Sequence, residues 1–165
     1  MKKLIVMLMI TICMLGVCSC GNNTTESTDM SEVNTEQKTE TKQVTKDFDG
    51  AGMTEMGPGT MYVKTAGGTS EDGNAPVLYA APDTILTQIG ISTRDYDGNH
   101  LTFVYVDGVK NMSHQFGTGS STLTLQGADL AEGVHDVELV QYENDDPSGE
   151  IFSYHKAQYE VRLEQ

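Results

Sequence analysis

Residues 123–143 read LTLQGADLAEGVHDVELVQYE. Leu123 and Leu125 alternate with Thr122 and Thr124, so one face of residues 121–127 is apolar and the other polar. That period of two is the mark of a half-buried strand. The alternation stops at Gly127 and resumes in residues 134–143, where Val137 and Leu139 fall on one face. Two strands joined by a short corner containing Leu130 and Gly133 are the simplest reading.

The same period runs outward from this stretch in both directions. In TMYVKTA (60–66), Met61, Val63 and Thr65 share a face, and Thr60, Tyr62 and Lys64 the other. PVLYA (76–80) is a further strand, with Pro76 at its start where no ladder donor is needed. TILTQIGIST (84–93) and HLTFVYVDG (100–108) follow, the latter with Leu101, Phe103 and Tyr105 on one face, and EIFSYHKAQYEVRL (150–163) comes last. Turn-forming DYDGN, VDGVK, GTGSS and DDPSG separate most of them. GTGSS (117–121) is expected to be a flexible hairpin loop. No window shows a helical stripe. About seven short strands predict an all-β fold, a β-sandwich, with a closed barrel as the alternative.

The corner at 123–143 resembles the turn between the fifth and sixth strands of bacterial immunoglobulin-like and fibronectin-III-like domains. There an L-x-x-G turn (here Leu130 to Gly133) is followed by H-x-V-x-L (here His135 to Leu139). The resemblance implies that Leu130 plugs one end of the sandwich, that Gly133 permits the corner, and that Val137 and Leu139 face the core. It also implies that His135 bonds to backbone near the corner. The Cys–Trp–Cys signature of antibody domains is absent.

The N-terminus is a different kind of sequence. Lys2 and Lys3 precede the uncharged apolar run LIVMLMITICMLGVC, the layout of an export signal. All three cysteines fall at 13, 18 and 20. VCSCGN (17–22) resembles the lipobox of bacterial lipoproteins, with Val17 at −3, Ser19 at −1 and Cys20 as the modified residue. Cys18 is the rival position, but it would put the bulky Val17 at −1. The resemblance implies cleavage before Cys20, a diacylglyceryl thioether with fatty acyl chains such as palmitate, and anchoring to the outer face of a bacterial membrane. Several acyl chains, at roughly 0.8 kcal/mol per buried methylene, hold a protein stably. Residues 20–46 then offer only Met30, Val33 and Val44 as larger apolar side chains and are expected to be a disordered tether. A coil of that length spans about 25–30 Å root-mean-square. The expected organisation is a signal peptide at 1–19, a lipidated Cys and linker at 20–46, and a sandwich domain at 47–165.

Net charge is −14, and all 24 acidic residues lie beyond the signal segment. A field of that sign repels phosphate backbones, so nucleic acid is a poor partner. No phosphate-cradling glycine motif, helical zinc spacing or nucleophile elbow occurs, and no cofactor or metal is expected. The chain is therefore read as non-enzymatic. An envelope hydrolase using His114 and His155 is the weaker alternative; His155 is expected on a strand surface. Binding residues are sought in the acidic loops: Asp95, Asp97 and Asn99 in DYDGN, and Glu143, Asp145, Asp146 and Glu150 in YENDDPSGE. Their spacing fails the EF-hand pattern. The leading expectation is a lipid-anchored envelope protein binding an envelope or extracellular protein. An accessory carbohydrate-binding module, calcium-dependent through these loops, is the alternative. One prediction follows from the lipobox: the full chain, grown with an alkyne-bearing palmitate, will take up the label, and Cys20→Ala will abolish it. Retention of label in Cys20→Ala and its loss in Cys18→Ala would move the anchor to the rival position.

Overall fold

The computed structural model describes residues 45–164; the export signal, Cys20 and the tether up to residue 44 lie outside the described residues. The strands are β1 (Thr60–Thr65), β2 (Gly68–Thr69), β3 (Val77–Ala80), β4 (Leu86–Arg94), β5 (Thr102–Val106), β6 (Val109–His114), β7 (Gly119–Gln126), β8 (Gly133–Tyr142) and β9 (Ile151–Leu163). They form two sheets, ordered β2-β1-β4-β7 and β3-β9-β8-β5-β6. Every pairing is antiparallel except β3 with β9, which is parallel. The chain passes from one sheet to the other between β2 and β3, between β3 and β4, between β4 and β5, between β6 and β7, and again between β7 and β8. This is an immunoglobulin-like β-sandwich.

The apolar alternation read from the sequence builds the interior. Val63, Ile89, Ile91, Leu123 and Leu125 from the first sheet meet Val104, Val106, Val137, Leu139, Tyr159 and Val161 from the second. Full burial of each such side chain contributes roughly 1.5–3 kcal/mol. The corner closes one end. A 3-10 turn (Gly127–Leu130) buries Leu130 in the interior cluster, and Gly133 takes a positive φ of 136°. His135 lies below it, its Nε2 donating to Ala131 O at 2.7 Å and its Nδ1 2.7 Å from Asp107 Oδ2. The ring stacks on Tyr159 at 5.0 Å, and Tyr159 Oη donates to Asp129 O.

β8 and β5 are buried on both faces. On the outer face of the second sheet, Phe103, Tyr105, Val140, Tyr142 and Tyr154 make a separate apolar cluster. Residues 47–58 cover it as a strap. Asp47 N and Phe48 N donate to Gly108 O, in the β5–β6 turn, each at 2.9 Å. The Phe48 ring stacks on Tyr105 at 4.9 Å, and Met53 packs on the same cluster. Further along, Met56 and Tyr154 exchange a pair of backbone hydrogen bonds. Pro58 O then accepts from Ser153 Oγ and His155 Nε2, and the chain enters β1 with Thr60 opposite Arg94. Glycines let the strap lie close. A Cβ at Gly50 would collide with the Glu138 carboxylate, and one at Gly57, whose φ is +80°, would sit 2.7 Å from Ser153 Cα.

Three expectations from the sequence are corrected. β6 was not foreseen, because an edge strand reading VKNMSH buries too little to alternate clearly. GTGSS is a loop only in part: Gly119, Ser120 and Ser121 are the first residues of β7, paired with Thr93, Ser92 and Ile91. His155 is not a surface residue; it is 5% exposed, because its side of β9 turns inward beneath Pro58. Two stability outcomes are expected in urea unfolding of a chain starting at Thr45. Leu139→Ala will cost about 2–5 kcal/mol as a core cavity. Gly57→Ala will cost about 1–3 kcal/mol, since it is both strained in φ and clashing, whereas Gly52→Ala, with open space around it, will cost less.

Candidate functional site

Antiparallel pairing gathers three loops at one end of the sandwich. β4 ends and β5 begins there, β6 ends and β7 begins there, and β8 ends and β9 begins there. The two acidic loops singled out from the sequence, 94–99 and 143–150, are therefore neighbours, the first extending to residue 101 before β5 begins, with 115–118 beside them. They are also bonded to one another. Asp145, at a positive φ of 56°, accepts a 2.7 Å hydrogen bond from Leu101 N through Oδ1. Asp95 N donates to Thr118 Oγ1 at 2.9 Å, and Thr93 Oγ1 donates to Gly117 O at 2.8 Å.

The loop pole is pinned from below by Gln141, which has no exposure. Its Nε2 donates to Asp97 O at 2.9 Å and Thr102 Oγ1 at 3.0 Å, and lies 3.3 Å from His100 O. The His100 ring stacks on Phe152 at 4.4 Å, which ties the first loop to the start of β9. A buried amide with several acceptors around it fixes loop backbone more firmly than a surface turn can.

Three of the seven predicted side chains, Asp97, Asn99 and Asp146, serve their own turns. Asp97 Oδ1 accepts from Asn99 N and Asn99 Nδ2, both at 2.9 Å, and Oδ2 lies 3.1 Å from His100 Nδ1. Asp146 Oδ1 accepts from Ser148 N at 2.9 Å and Ser148 Oγ at 2.8 Å. Glu143 and Glu150 close the second loop through backbone, Glu143 N donating to Glu150 O at 3.0 Å. Their side chains are exposed, as is that of Asp95. The carboxylates thus share a pole without converging on a point: among the described residues no three His, Cys, Asp or Glu side chains are placed to hold a metal ion. His114 is exposed and meets Phe116 edge-on at 5.0 Å, while His155 is held by Pro58 O.

Sequence reasoning missed two features. One is Gln141, whose role depends on a loop more than 40 residues away. The other is a cleft of about 340 Å³ between the strap, the β2–β3 connection and β9, lined by residues including Met53, Glu55, Met61, Ser70, Asn74 and Lys156. There Glu55 Oε1 accepts from Lys156 N at 3.0 Å. The strap's apolar residues are isolated in sequence, so no period announced them.

No family model matches the chain, and no curated protein matches it. Among solved structures, it is similar to the fibronectin(III)-like modules of Clostridium thermocellum CbhA, at 14% identity and a TM-score of 0.36, over 62% of this chain and 99% of that one. It is similar too to the CARDB domain of PF1109 from Pyrococcus furiosus, at 15% identity and a TM-score of 0.36, over 66% of this chain and 100% of that one. The sandwich is defined by its own strand order and register.

Acid will loosen the loop pole. The backbone N–H of Asn99, with the Asn99 and His100 side chains, holds the Asp97 carboxyl below the usual Asp range, and Ser148 does the same for Asp146. Carboxyls depressed in this way contribute stability above the ordinary carboxylate pKa and lose it as pH falls through their folded values. Glu138 has the opposite sign. Burial raises it, so its contribution is complete at low pH and is lost as pH rises through its folded value. Urea midpoints measured from pH 7 down to pH 2 are therefore expected to fall below about pH 4. Asp97→Asn will flatten that fall, and Glu138→Gln will leave it in place.

Proposed function

We propose that this is a lipid-anchored envelope surface protein whose sandwich is a non-enzymatic binding module. In this reading Cys20 carries the anchor, residues 20–46 are the tether, and loops 95–101 and 143–150 contact an envelope or extracellular protein. The observation that supports the binding half is the Leu101–Asp145 hydrogen bond, which ties the acidic loop 143–150 to the segment that follows DYDGN and so makes the two acidic stretches neighbours on one surface. Rigid loops lose little entropy on association, which is how a scaffold turns loops into a recognition surface. The exposed carboxylates suit a partner with basic residues, and the strength of such contacts falls with salt.

The test is a pull-down from native envelope extract with immobilised residues 45–165, read by mass spectrometry. A specific envelope protein is expected, and Asp145→Ala combined with Glu143→Ala and Glu150→Ala is expected to lower its recovery at least tenfold. Recovery unchanged by those substitutions would remove the loops from the site. Capture of polysaccharide alone, reversed by a calcium chelator, would replace this reading with the carbohydrate-binding one.

A further inference from the structure

β1 begins at the loop pole, because Thr60 pairs with Arg94 at the end of β4. Without the strap, the chain before β1 would leave the sandwich beside loops 95–101 and 143–150. The strap prevents this. It starts at the β5–β6 turn, where Asp47 N and Phe48 N donate to Gly108 O and Asp47 Oδ2 accepts from Lys110 N at 3.0 Å. That turn lies at the opposite pole, with the corner at 127–133 and the end of β9: Asp107 N donates to Asp136 O, and Gly133 pairs with Val161. From there the strap crosses the outer face to Tyr154 and Pro58. Its polarity carries the chain's point of departure from one pole to the other.

We infer that the strap sets the point of attachment: it joins the sandwich to its anchor by the pole opposite the loops, so that, averaged over the motion a disordered tether allows, the loop pole lies farther from the membrane than the attachment pole. This rests on the reading of Cys20 as lipidated. The strap's contacts are strong enough to set the attachment point. Phe48 and Met53 join the outer apolar cluster, Met56 makes two backbone bonds to Tyr154, and Pro58 O accepts from two buried side chains of β9. Gly57, at a positive φ and against the backbone of Phe152 and Ser153, is required for that close approach.

The experiment uses the full chain, lipidated in a bacterial host and reconstituted into phospholipid vesicles carrying a headgroup-linked energy acceptor. A donor dye is placed on a single introduced thiol, Asp83→Cys at the attachment pole or Asn144→Cys at the loop pole, both exposed positions. Higher transfer from Asp83→Cys than from Asn144→Cys is expected. Deleting residues 47–56, which joins the tether to Gly57 at the loop pole, is expected to reverse that order in chain that keeps its β circular dichroism. Equal transfer from the two positions in otherwise unaltered chain, with the protein still floating with the vesicles, would overturn the inference and leave the anchor reading standing. Protein that does not float, and that takes up dye at Cys20, would overturn the anchor reading and the inference with it.

Discussion

β8 has almost no face left for water, and the rest of the molecule is arranged around that fact. Its inner side carries Val137 and Leu139 into the space between the sheets; its outer side carries Glu138, Val140 and Tyr142. A sandwich buries only inner faces, so a strand apolar on both sides needs a third layer. The strap supplies that layer. The inner side is also closed by a polar residue near each end: His135 held by Ala131 O and Asp107, and Gln141 held by Asp97 O and Thr102. Between those two fixed ends the apolar residues of β8 have one register, and a slip would bury both polar groups without partners.

What the sequence disclosed follows from where its signal is local. The corner at 123–143 was readable because Leu123, Leu125, Val137 and Leu139 alternate over short spans and because Gly133 stands where the backbone turns. The loops were readable as turns because Asp, Asn, Gly and Ser bond to their own backbone two residues on, as Asp97 and Asp146 do. The strap was not readable. Phe48, Met53 and Met56 have neither a period of two nor one of 3.6, and their partners lie some 50 to 100 residues further along. His155 was misplaced for the same reason, since its burial is made by Pro58 and not by its neighbours in β9.

Turn chemistry and recognition compete for the same side chains in the acidic loops. Asp97 and Asp146 are already satisfied within their loops, and Asp145 serves the contact between loops. The groups left pointing to solvent are Asp95, Glu143 and Glu150. The domain also holds itself without a disulfide, because every cysteine precedes residue 21. Its stability comes from packing of two apolar clusters on either side of one sheet, and the outer one is complete only while Phe48 and Met53 are seated.

The strap also decides how the domain yields to force. A pull delivered through the residues before Lys46 meets Asp47 and Phe48 first, at the Gly108 turn, and not the long β8–β9 ladder. The strap runs from that turn to Pro58 at the other pole, so the pull acts along its length, and it is held by far fewer backbone bonds than the ladder is. About a dozen residues are then freed, with a contour of at most roughly 40 Å, while both sheets stay paired. The segment that covers the outer cluster is thus also a mechanical fuse, able to take up a jolt before the fold itself is stretched.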